Sequence, residues 1–179
     1  MNFQMKKIIL LSSVFILSIS CASKKSDNTT VDIQKYFNTI SSEELKTHLY
    51  IVASDEMEGR NTGEPGQKKA GEYLINHYKS IGVNFPKGAT EYYQRIPSEF
   101  FKKQFSPKLG DSENIWAFIE GSEKPNEIIM AGGHLDAWDN GQGAHDDGAG
   151  VVQAMEVLAM YKKQNIKPKH TIRAVAFMN

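Results

Sequence analysis

Two short runs carry residues that could do chemistry. Gly132-Gly133-His134-Leu135-Asp136 follows an apolar stretch, and Asp146, ten residues after Asp136, stands in Ala144-His145-Asp146-Asp147-Gly148-Ala149-Gly150. Neutral imidazole and carboxylate are ligand types suited to a zinc ion. His134 and Asp146 are therefore the candidate metal ligands, and Asp146, with two oxygens, could serve two ions at once. In the His-x-Asp pair, Asp136 could hold the second ring nitrogen of His134 and fix its tautomer. The glycines before His134 would let the backbone turn sharply without a Cβ. His145 reads as a surface or supporting histidine, and His48, His77 and His170 read as structural.

These runs need elements to place them. Residues 127–132 include Ile128, Ile129, Met130 and Ala131, the continuous apolar run of a strand covered on both faces. Residues 148–163 repeat apolar residues at helical spacing, with Val151, Met155, Leu158 and Ala159 on one face. Thr171–Met178 is again a buried strand. Strand, loop, helix, strand makes a βαβ crossover, so the expected class is α/β, with a mixed, largely parallel sheet and helices on both faces. The two runs then fall at the carboxyl end of a strand and the start of its crossover helix, where open α/β sheets bind ligands.

Upstream, Ser41 with Glu44 three residues on predicts a helix N-terminus. Ala70, Tyr73, Leu74, His77, Tyr78 and Ile81 predict a second helix, with Gly82 as its stop and a loop over residues 60–66. Residues 84–113 hold several prolines and aromatics and read as a short strand near 91–96 followed by irregular chain. Residues 114–120 read as a strand and 121–126 as a turn.

Composition limits the remaining possibilities. The 179 residues carry 21 basic and 21 acidic side chains, so no basic footprint for nucleic acid is present. One cysteine excludes a disulfide framework and a cysteine-built zinc cluster. That cysteine, Cys21, follows a leader in which Lys6 and Lys7 precede the apolar stretch 8–19. The segment up to Cys21 resembles a bacterial lipoprotein signal. It implies removal of residues 1–20, lipid attachment at Cys21, a flexible tether over 21–30, and an exported protein anchored to a membrane of the cell envelope. An ordinary cleaved signal with an incidental cysteine is the alternative.

Residues 133–150 as a whole, with the spacer Trp138-Asp139-Asn140-Gly141-Gln142-Gly143-Ala144, resemble metallopeptidase family 28, and most closely its plasma glutamate carboxypeptidase branch. Residues 49–60 and Thr62-Gly63-Glu64-Pro65-Gly66 resemble the opening of that family's catalytic domain, so the resemblance runs over about residues 41–179. It implies a three-layer zinc aminopeptidase-like fold and a two-zinc exopeptidase acting on peptides. His134 would bind zinc, Asp136 would take the catalytic role of orienting and polarising it, and Asp146 would bridge both ions. Asp147 would follow through a cis peptide and support the ligands without binding metal. In the family the general base and three of the five metal ligands come after the strand matching Thr171–Met178. The chain stops at Asn179, so the expectation is a C-terminally truncated, inactive fragment of such an enzyme. The competing expectations are a single-zinc glutaminyl cyclase-like enzyme, and a lipid-anchored binding protein without catalysis.

Overall fold

The computed structural model describes residues 33–99 and 111–178. The expected signal segment and tether, with Cys21, lie outside the described residues, as do Phe100, Phe101 and Phe105 of the expected irregular stretch. The described residues fall within one compact unit, Asp32–Asn179.

Among the described residues four helices and four strands are delimited. They are α1 (Ile33–Phe37), α2 (Ser42–Val52), α3 (Pro65–Ser80), β1 (Tyr93–Ile96), β2 (Ser112–Ile119), β3 (Lys124–His134), α4 (Ala149–Lys163) and β4 (His170–Phe177). Helix α2 starts as expected, with the Ser41 hydroxyl accepting the Glu44 N–H at 3.2 Å. Helix α3 begins inside the expected loop. Pro65 occupies its first turn, where the missing N–H costs nothing. The chain before it forms a 3-10 turn over Asp55–Arg60. At its end Gly82 takes φ +66°, and the Val83 N–H reaches the Tyr78 carbonyl at 2.9 Å. This closes the helix with a glycine in the left-handed region.

The sheet order is β1-β2-β4-β3. Strands β3 and β4 are parallel, joined by α4 as the crossover, while β1·β2 and β2·β4 are antiparallel. The sheet is thus mixed, as expected, but one of its three pairings is parallel, so "largely parallel" does not hold among the described residues. The reason lies in the connections. A parallel neighbour needs a crossover connection, and α4 supplies one between β3 and β4. The chain reverses within residues 120–123 between β2 and β3, which sets β4 antiparallel to β2.

One face of the sheet carries Ile115, Ala117, Ile172, Ala174 and Ala176. These pack with Leu74 and Tyr78 of α3 and Val151, Met155 and Leu158 of α4 into the core. The other face carries Trp116, Phe118 and Arg173, the last with its guanidinium 5.4 Å from the Trp116 ring. Among the described residues the helices cover one face rather than both. Strand β3 is the edge, so Ile128, Ile129 and Met130 are 46%, 53% and 51% exposed, not covered as their apolar run predicts.

Helices α2 and α3 meet through two histidines. His48 Nδ1 lies 2.6 Å from the Tyr73 hydroxyl, and the His48 and His77 rings pack edge to face with centroids 4.5 Å apart. Burial, then neighbouring His48 and Lys163, lower His77 from 6.5 to about 4, against the pull of Glu44. A lowered imidazole favours the folded state while neutral. Its contribution is complete above pH 6.5 and is lost as the pH falls towards 4. A shift of that size is worth about 3 kcal/mol at full strength, and screening at a half-buried ring reduces it to about 1–2 kcal/mol. His77→Phe is therefore expected to lose less stability than the parent between pH 7 and pH 4 in urea unfolding. Parallel losses in the two proteins would show that His77 does not cause the pH dependence.

Candidate metal centre

His134 is the last residue of β3 and pairs with Phe177 of β4; the next N–H, of Leu135, donates to the Phe177 carbonyl at 2.7 Å. The imidazole thus stands at the carboxyl end of the parallel strand pair, where the sequence places it. From there the chain loops through Trp138–Asn140, takes φ +53° at Gly143, and forms a π-type turn over Ala144–Gly148 that feeds α4. The Asp146–Asp147 peptide is cis.

The two runs converge. His134 Nε2 lies 2.9 Å from Asp146 Oδ1. On the other side of the ring, Nδ1 lies 3.0 Å from the Asp136 carbonyl and 3.3 Å from Asp136 Oδ1. Asp136 thus holds Nδ1 and leaves Nε2 aimed at Asp146. Burial opposes charge on His134, but the bond to Asp146 and the charge of Asp136 outweigh it and hold the imidazole above its usual range. Asp147 turns the other way. Its Oδ2 accepts the His134 N–H and its Oδ1 accepts the Gly150 N–H, each at 3.1 Å. It ties the strand end to the helix start and faces backbone rather than the His134–Asp146 pair.

The glycines serve a different purpose from the one expected. Gly132 and Gly133 sit within β3, outside the left-handed region. What they provide is space. A Cβ on Gly133 or Gly150 would overlap the Asp147 carboxylate, and one on Gly132 would overlap the Val175 carbonyl. His145 is exposed on the π-type turn. His170 lies at the opposite end of β4, 3.2 Å from Glu127 Oε2.

The donors fit a zinc ion in type and spacing. Two ligands of one tetrahedral zinc stand about 3.3 Å apart, close to the observed 2.9 Å. The Asp146 side chain is 68% exposed, so its second oxygen is open to solvent. Among the described residues no three His, Cys, Asp or Glu side chains are grouped to hold a metal.

Sequence reasoning missed Arg60 and Asp55. Both lie in the 49–60 segment, yet nothing local marks Arg60 as fully buried against the site loop, or Asp55 as the acceptor of the Gln142 side-chain amide at 3.0 Å.

Comparison with known proteins agrees with the geometry. A family model described as Peptidase family M28 matches residues 114–179, a shorter stretch than the 41–179 suggested by the motifs. Human carboxypeptidase Q is 39% identical over 92 residues, which are 48% of this chain and 20% of that protein. The chain therefore spans about a fifth of that relative's length. Among solved structures, LapB from Legionella pneumophila superposes with a TM-score of 0.62 at 17% identity, over 85% of this chain and 38% of that one. Fimbriiglobus ruber glutaminyl cyclase gives 0.58 at 19% identity, over 78% and 46%. These two likenesses establish the shared fold. Over residues 114–179 the sequence is similar to the family described as Peptidase family M28.

Proposed function

We propose that this chain is part of a zinc-dependent exopeptidase that hydrolyses a terminal peptide bond. The observation that carries the reading is the approach of His134 Nε2 to Asp146 Oδ1 at the carboxyl end of β3, with the ring held from behind by Asp136. The family match and the likeness to carboxypeptidase Q support peptides as the substrate class.

His134 and Asp146 would hold the metal, and Asp146, through its second oxygen, would serve a second zinc ion. Zinc bound there would supply a water acidified to near-neutral pKa and a Lewis acid for the scissile carbonyl. The protein's own part is positioning. With a metal bound, Asp136 would hold the proton on Nδ1 and so leave Nε2 to bind the ion, as carboxylates behind metal-bound histidines do. Asp147 keeps that ring's backbone fixed to the start of α4.

The test is isothermal titration of the 179-residue chain with zinc at pH 7.5, beside His134→Ala and Asp146→Asn. Weak binding is expected in the parent, because two side chains supply half of a tetrahedral zinc's ligands, and its loss in both variants. Binding that survives His134→Ala would refute the metal assignment. Assays of the longer protein with dipeptides and with an N-terminal glutamine substrate separate the two reactions found on this fold. Peptide hydrolysis is expected, and cyclisation without hydrolysis would replace the exopeptidase reading.

A further inference from the structure

We infer that Arg60 is the positioning residue of the metal centre, the group that sets how far apart its two ligand-bearing runs stand. The inference rests on the zinc reading of that site. Arg60 is fully buried, and its guanidinium is spent on backbone carbonyls of the first run, of the loop that leads into the second, and of the end of α2. Nε donates to the Leu135 carbonyl, which lies between His134 and Asp136. Nη1 donates to the Val52 carbonyl at the end of α2 and to the Gln142 carbonyl at 2.9 Å. Nη2 donates to the Gly143 carbonyl at 3.1 Å, three residues before Asp146. One rigid plane thus spans the strand end that carries His134 and the loop that delivers Asp146.

The surroundings are shaped to this purpose. Glu58, Gly59 and Arg60 hold φ of 51°, 68° and 56°, so two residues with side chains sit in the left-handed region. Such backbone persists only where its surroundings over-determine it. The same turn is pinned to the site loop by the Ala137 N–H, which donates to the Gly59 carbonyl at 2.8 Å. At Gly143 a Cβ would lie 2.7 Å from Arg60 Nη2, so the loop approaches the guanidinium more closely than a side chain allows. Arginine stays charged in such a place, and its planar fork is what lysine lacks.

Arg60→Lys keeps the charge and removes the fork. Hydrogen exchange of the amides in 134–148 is expected to speed up by about tenfold or more, while those of Met155 and Leu158 stay protected. Zinc affinity is expected to fall by about 10–100-fold, as it does when a group supporting a metal ligand is lost. Unchanged exchange in 134–148 overturns the inference. So does faster exchange with unchanged zinc affinity, which would make Arg60 a brace for the loop and nothing more. If the parent binds no zinc, the exchange measurement still decides whether Arg60 holds the two runs. If Arg60→Lys does not fold, the parent's own Arg60 Nε–H decides. It must exchange far more slowly than exposed arginines in the nitrogen-15 spectrum, and exchange at the free rate refutes the carbonyl cradle.

Discussion

Gly133→Ala is expected to destabilise the chain by about 3–5 kcal/mol, out of proportion to one added methyl group. The new Cβ would overlap Asp147 Oδ2 and stand 2.9 Å from its Cγ and 3.0 Å from the Val151 nitrogen. A long side chain could swing away, but the Asp147 carboxylate is short and held at both oxygens by the N–H groups of His134 and Gly150. Moving it releases both charge-assisted bonds. Overpacking costs about 1–3 kcal/mol, and each donor left unpaired adds about 1–3 kcal/mol. Urea unfolding measures the sum. A double-mutant cycle identifies the cause, because the methyl should cost markedly less in an Asp147→Ala background than alone. Additive losses would mean that Gly133 is needed for its backbone and not for the room it leaves.

This coupling marks where the sequence stops being legible. Signals spanning one or two turns are readable, because their partners are close along the chain. Ser41 finds the Glu44 N–H, Gly82 takes the left-handed conformation, and β3, α4 and β4 follow from their apolar periods. The pairing of His134 with Asp146 is readable for a related reason: strand, loop and helix leave few ways to arrange the two runs. Sheet order is different. It is decided by which connections have a helix, and by β4 taking the place between β2 and β3. The apolar run 128–130 reports a strand but does not say that β3 lies at the edge of the described sheet. Arg60 is the extreme case. Three of its four acceptors lie 75 to 83 residues away and are main-chain carbonyls, which carry no side-chain identity to read.

Lys163→Met is expected to cost about 3 kcal/mol at pH 8 and less at pH 5. Lys163 Nζ stands 2.9 Å from Glu156 Oε1 and 2.5 Å from Glu44 Oε2. The two acids differ in exposure, with the Glu156 side chain 6% exposed and that of Glu44 48%. Burial opposes charge on Lys163, yet its bonds to Glu44 and Glu156 hold the ammonium above its usual range. Removing the lysine strands a carboxylate inside the α4 packing. Breaking a buried pair in this way costs about 3–5 kcal/mol, with the lower end apt because Lys163 itself is one-third exposed. In the variant a buried carboxylate is left without its cation, and burial disfavours the charged form of an acid. The penalty for such a group shrinks as acidification supplies the proton. The gap between Lys163→Met and the parent should therefore narrow as the pH falls from 8 to 5. Adding Glu156→Leu should restore most of the loss at pH 8, since an apolar side chain of similar size needs no partner there. A gap that does not change with pH, or a double variant no more stable than Lys163→Met, would show that the lysine acts through its aliphatic stem and its tie to α2 and not by neutralising Glu156.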